Sequence, residues 1–179
     1  VGRIADLLRK LKLEQNTYLI FTTDNGPWLQ FKHHGGSAGP LREGKGTTFE
    51  GGQRVPCVMW APGRIPAGTN CDKLCGTIDL LPTIAALTKT PLPKEKKIDG
   101  LDISKLLAGS NKSPRNEFIY YTSRGELAGI RRGRWKLLLE PGTLHDVESD
   151  VSEQWDRADR HPELVAELRA LAIERDAAI

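Results

Sequence analysis

No apolar run in the 179 residues approaches the roughly 20 consecutive residues that a membrane-spanning helix needs, so no membrane partner is expected. Cysteine is scarce. Cys57, Cys71 and Cys75 leave one thiol unpaired under any internal disulfide, and the spacing of the last two lacks the second Cys or His pair that zinc requires. They read as free thiols, buried or at the surface. The net charge of +3 suits an anionic substrate, but the basic residues form no dense arm or stripe, which argues against a nucleic-acid partner. There is no internal repeat. The chain opens on Val-Gly-Arg-Ile with neither an initiator methionine nor a visible signal peptide, which reads as a processed product or a fragment.

What is present is an ordinary globular composition, 39% hydrophobic and 27% charged. A chain of this length buries roughly two thirds of its unfolded surface and needs no metal or disulfide scaffold to fold. Ile4, Leu7, Leu8 and Leu11 recur at helical spacing, and the pattern predicts an amphipathic helix over 2–13. Neither Val1 nor Gly2 can supply a capping acceptor, so the natural helix is expected to begin upstream. The run Tyr18 to Phe21 predicts a central strand buried on both faces. From Asp24 to Gly52 no periodicity persists and glycine recurs, the mark of a functional loop.

A second strand is expected over 55–60, a helix capped by Asp79 with Leu80, Ile84 and Leu87 on one face, and a short helix over 102–107 stopped by Gly109. The Ser-Asn-Lys-Ser-Pro-Arg-Asn stretch at 110–116 is a linker by composition. Short strands at 118–121, 127–131 and 135–139 then predict a small antiparallel sheet, and Pro162 starts a final helix whose Leu164, Leu168, Leu171 and Ala172 pack on it. The domains expected are 1–109, the C-terminal portion of a catalytic α/β domain, and 110–179, a small α+β subdomain.

Two elements carry chemistry. Asp24 and Asn25 end the first strand, where ligands gather in open parallel sheets, and their oxygens suit Ca²⁺ or Mg²⁺ better than zinc. Two oxygens are an incomplete set, because Ca²⁺ takes six to eight. Twenty residues on, Lys45 stands between Gly44 and Gly46, where the absence of Cβ atoms lets an anion approach the ammonium group. The stretch from Gly39 to Lys45 begins like a phosphate-binding loop, but Gly46 occupies the place of the Ser or Thr that binds Mg²⁺, which excludes nucleoside triphosphates. His33 and His34 can donate a proton to a leaving group or simply face water, and His34 is a further substrate-binding candidate. Arg54 is expected to pair with a loop carboxylate such as Glu50, and Trp28 and Phe31 to line a wall or anchor the loop.

The run Asn16 to Gly26, then Gly44 to Gly52 with Arg54, Val55 and Pro56, then Ile78 to Thr83 and Asp99 to Asp102, resembles the C-terminal half of type I, formylglycine-dependent sulfatases, the arylsulfatase-like branch of the alkaline phosphatase superfamily. The resemblance covers most of the chain and loosens beyond residue 140. It implies an α/β fold, the C-terminal part of an alkaline-phosphatase-like sandwich with a mainly parallel sheet, followed by a small antiparallel sheet packed by a C-terminal helix. It implies Ca²⁺ at Asp24 and Asn25, with Mg²⁺ second, and a sulfate group at Lys45. The substrate implied is a sulfated small molecule or carbohydrate.

The formylglycine nucleophile arises in the family from a Cys/Ser-x-Pro-x-Arg motif. None of the three cysteines is followed by that pattern. The chain alone is therefore expected to be inactive, and the partner implied is the missing N-terminal half of the same enzyme, or a homo-oligomer. Periplasmic, extracellular or lysosome-like export follows from the family. Two other functions fit the same residues: a phosphodiester or phosphonate hydrolase of the superfamily, and a noncatalytic cation- or glycan-binding module.

Overall fold

A computed structural model describes residues 1–179. It contains two compact units, the first made of Val1–Phe21 and Cys57–Asn116, the second of Thr22–Pro56 and Glu117–Ile179.

In the first unit, helix α1 (Gly2–Lys10) is one turn shorter than the apolar spacing predicts, because Lys12 takes a left-handed φ of 57° and ends it. Strands β1 (Leu19–Thr22) and β2 (Cys57–Trp60) pair in a two-stranded sheet. The expectation that Tyr18 to Phe21 is buried on both faces does not hold: Phe21 is 52% exposed. Two strands alone cannot cover both sides of a sheet. Helix α3 (Leu80–Thr88) buries Pro82, Thr83 and Ala85, while Leu81 and Ile84 face outward. Thr83 ties it to the next element, since its hydroxyl accepts from Ile103 N at 3.0 Å just before the short helix α4 (Ser104–Leu107).

Asp79 does not cap α3 with its side chain. Its carboxylate instead accepts from Gly76 N at 2.8 Å, Leu101 N at 2.8 Å, and Arg115 Nε at 2.9 Å and Nη2 at 2.5 Å. It is fully buried.

In the second unit, β3 (Glu117–Tyr121), β4 (Leu127–Arg132), β5 (Trp135–Leu138) and β6 (Leu144–Asp146) form an antiparallel sheet in sequential order. The helix α5 (Pro162–Asp176) lies on it, and Leu168 and Ala172 join Ile130, Leu137 and Leu144 in a common core. The expected stripe does this, because residues four apart share one helix face. The fourth strand, β6, is an addition to the sequence reading. It is only three residues long and two of them, His145 and Asp146, are polar.

Asp146 makes β6 sensitive to acid. A forked hydrogen bond from Arg134, joined by Ser149 Oγ at 2.7 Å, holds its carboxyl at a pKa of about 2 despite partial burial. A carboxylate with a depressed folded-state pKa stabilises the fold above its unfolded pKa of about 3.9 and loses that contribution as pH falls toward the folded value. The urea midpoint is therefore expected to drop between about pH 4 and pH 2, and to drop less in Asp146→Asn. An identical acid profile for the variant would remove Asp146 from the explanation.

Candidate functional site

The loop of residues 22–56 is closed at its base by Thr22 Oγ1, which donates to Pro56 O at 3.1 Å. Within it, Asp24 and Asn25 occupy a bend directly after β1. Asp24 is exposed, and its Oδ1 accepts only from Thr23 Oγ1, at 3.3 Å. No lysine or arginine pairs with it. Its negative charge is thus left for water or a cation.

Two backbone bonds join this bend to the Lys45 segment. Gly26 N donates to Gly52 O at 3.0 Å, and Lys45 N donates to Pro27 O at 2.9 Å. The approach is so close that a Cβ on Gly26 would lie 1.8 Å from Gly51 O, and one on Gly44 would lie 2.4 Å from Pro27 O. These contacts, rather than turn geometry, require glycine at both places. Lys45 and Gly46 form a turn in which Gly46 has a φ of 89°, and Thr47 closes it through N and Oγ1 to Gly44 O. The ammonium of Lys45 lies 5.3 Å above the ring of Trp28, which in turn meets Phe31 edge-on at 4.5 Å between centroids. The two aromatic residues act as a pair, with Trp28 forming the wall beside Lys45.

His34 ends the 3₁₀ stretch Leu29–His34, which is broken by a kink at Lys32 with a φ of 48°, and is exposed. It takes no part in the bonds that unite Asp24, Asn25 and Lys45. Arg54 also differs from expectation. Its backbone N donates to Glu50 O at 2.7 Å, but the Glu50 carboxylate turns inward to other cations.

Glu50 begins the short helix α2 (Glu50–Gln53) and is 2% exposed. Its Oε1 lies 3.0 Å from Lys136 Nζ on β5, and its Oε2 accepts from Arg131 Nη1 at 3.3 Å. Lys136 Nζ also lies 2.8 Å from Glu153 Oε1, and Glu153 Oε2 accepts from the backbone N of Glu50 at 2.6 Å. Lys136 and Glu153 have no solvent exposure at all. Buried charge is tolerated only when paired and hydrogen-bonded, and here two carboxylates face two cations. Tyr120 completes the group. Burial, with the nearby Glu50 carboxylate, pushes its hydroxyl well above the usual range, so it remains a donor to Glu50 Oε1 at 3.4 Å. The sequence signal for this cluster was a lysine inside the apolar run Trp-Lys-Leu-Leu-Leu.

The bend and loop so joined lie at the start of a chain whose residues 1–90 match the sulfatase family model. The chain belongs to the sulfatase family. Arylsulfatase A from Homo sapiens is 42% identical to this sulfatase chain over 157 residues, covering 84% of it and 30% of that protein. N-acetylgalactosamine-6-sulfatase from Canis lupus familiaris is 41% identical over 138 residues, covering 76% of the chain and 26% of that protein.

Among solved structures, the PsFucS1 sulfatase from Pseudoalteromonas sp. matches with a TM-score of 0.88 at 26% identity, covering 98% of this chain and 40% of that one. Ps i-CgsB in complex with k-i-k-neocarrahexaose matches with a TM-score of 0.84 at 27% identity, again covering 98% and 40%. The sulfatase chain thus spans about 30% of the length of the curated relatives it matches. Its α/β fold, with the antiparallel sheet and C-terminal helix, is part of the alkaline-phosphatase-like fold of arylsulfatase-like sulfatases.

Proposed function

We propose that this chain supplies part of the metal and anion site of a sulfuric ester hydrolase. The observation that carries the proposal is the pair of backbone bonds, Gly26 to Gly52 and Lys45 to Pro27, which fastens a carboxylate and amide bend to a glycine-flanked lysine. Asp24 and Asn25 offer hard oxygen donors that fit Ca²⁺, with Mg²⁺ second, and Asp24 carries no competing ion pair. Such a cation, when bound, draws charge from ester oxygens. Lys45 binds a sulfate oxygen from the Trp28 side, and charge stabilisation of this type is often the largest catalytic contribution. His34 is a candidate contact to the leaving alcohol, from its place at the end of the 3₁₀ helix.

A sulfated carbohydrate is the substrate class we favour, supported by the likeness to N-acetylgalactosamine-6-sulfatase and to Ps i-CgsB in its oligosaccharide complex. The Cys/Ser-x-Pro-x-Arg source of formylglycine is not among these residues, so the nucleophile comes from further polypeptide. The same polypeptide would cover the apolar side chains that stand open on α1 and α3, among them Ile4, Leu7, Leu81 and Ile84. We further propose that residues 110–179 act as a subdomain that supports the site.

Calorimetry tests the site directly. Calcium is expected to bind the chain, to bind tighter with inorganic sulfate present, and to lose that sulfate enhancement by roughly tenfold in Lys45→Ala, the size of one charge-assisted contact. The purified chain is expected to leave a chromogenic aryl sulfate intact. Binding that ignores both sulfate and Lys45 would leave a simple cation-binding module, and turnover by the chain would overturn the missing-nucleophile reading.

A further inference from the structure

A buried charge cluster joins the Lys45 loop to the four-stranded sheet. Five residues beyond Lys45, Glu50 is gripped at two places: the side chain by Lys136 and Arg131, the backbone N by Glu153. The next residue, Gly51, donates to Arg42 O at 2.8 Å, and Arg42 in turn donates from Nη1 to Glu153 O at 2.7 Å. One residue further, Gly52 O holds Gly26 beside Asp24 and Asn25. Every step from Lys136 to the bend is thus a directed bond between named atoms.

If only stability were at stake, apolar residues would serve as well, because replacing buried ion pairs by packed hydrophobic side chains is often neutral or stabilising. Charge adds direction. A residue whose carboxylate is held by two cations and whose backbone N is held by a second carboxylate has one position, and the residue that follows it has one backbone path.

We infer that Lys136, Glu50 and Glu153 are positioning residues that set the Lys45 loop against the Asp24 and Asn25 bend. The inference rests on the reading that Lys45 binds the anion, and it adds that the anion site is held from the sheet side. The groups facing the cluster are Tyr120 and Arg131 on the sheet, Arg42 through its link to the Glu153 carbonyl, and His145, which pairs with Lys136 in register and senses Glu153, Asp150 and Asp156. Two carboxylates against Lys136 and Arg131 balance. Without Lys136 they do not, and the repulsion between like charges so close works to open the site.

The test is amide hydrogen exchange by NMR on the full chain, with sulfate affinity in the presence of Ca²⁺ alongside it. In Lys136→Met, exchange at Lys45 and Gly51 is expected to accelerate by at least roughly tenfold near pH 8, corrected for intrinsic rates, while Ile130 and Leu137 keep their protection. Sulfate affinity should fall together with the loop protection. Glu50→Gln keeps the shape and the backbone bond. It should also loosen the loop, and it serves if Lys136→Met fails to fold.

Loop protection unchanged in a folded variant, or lost equally at Ile130 and Leu137, overturns the inference. Should Lys45→Ala leave sulfate affinity intact while the loop responds as expected, the anion reading fails and the positioning role stands.

Discussion

Replacing Asp79 with alanine is expected to destabilise the first unit by about 3–5 kcal/mol, the usual cost of breaking a buried ion pair from one side. Its carboxylate is fully buried and gathers three separate segments: the turn at Gly76, the backbone at Leu101, and the guanidinium of Arg115. Arg115 Nη2 also donates to Asp99 O at 2.9 Å, so it cannot easily swing out to water when its partner is gone. Burial alone would raise the Asp79 pKa. The hydrogen bonds from Arg115, Leu101 and Gly76 and the guanidinium charge outweigh that, and the carboxyl titrates below its ordinary value.

Asp79→Asn preserves shape but loses charge, and should fall between alanine and the parent. Urea unfolding followed by circular dichroism gives the comparison. A shift below about 1 kcal/mol for the alanine variant, the range of exposed ion pairs, would show that Arg115 finds another partner.

Gly26→Ala is expected to act on the site and spare the sheet. The added Cβ would sit 1.8 Å from Gly51 O, 2.8 Å from Gly51 C and 3.0 Å from Gly52 Cα, all backbone atoms that no rotamer change can clear. The bend must therefore move away from the Lys45 segment. Overpacking of this type costs about 1–3 kcal/mol, or about 5- to 150-fold when it falls on an equilibrium constant. Calorimetry should show calcium and sulfate binding weakened within that range, while exchange protection at Ile130 and Leu137 stays at the parent level. Parent-like binding would mean that the bend and the loop need not touch for the site to form.

The bend and the lysine loop on which the proposed site rests were legible in the chain. The Asp24 and Asn25 pair follows an apolar strand, glycines flank Lys45 on both sides, and the leucine stripe of α5 marks its buried face. These signals are local, set by neighbours within a turn or a strand. The Glu50 cluster is not local: Lys136 lies 86 residues from Glu50, and Glu153 lies 103 residues from it. Arg54 was the nearest cation in sequence, but its side chain is exposed, whereas burial delivers Lys136. The strand β6 escaped for a related reason. Its polar residues become interior only because Arg134 neutralises Asp146 and because His145, held neutral by burial, sits beside Thr143.

The sharing of Glu50 between helix α2 and the C-terminal sheet bears on how the gene could be shortened. A stop codon after Asn116 would spare every proposed contact to calcium and sulfate, yet it would strip a carboxylate of both counter-ions and deprive the neighbouring peptide nitrogen of its acceptor. The tail is thus an integral strut, and recombination that exchanges it between paralogues must carry the matching lysine, arginine and glutamate together.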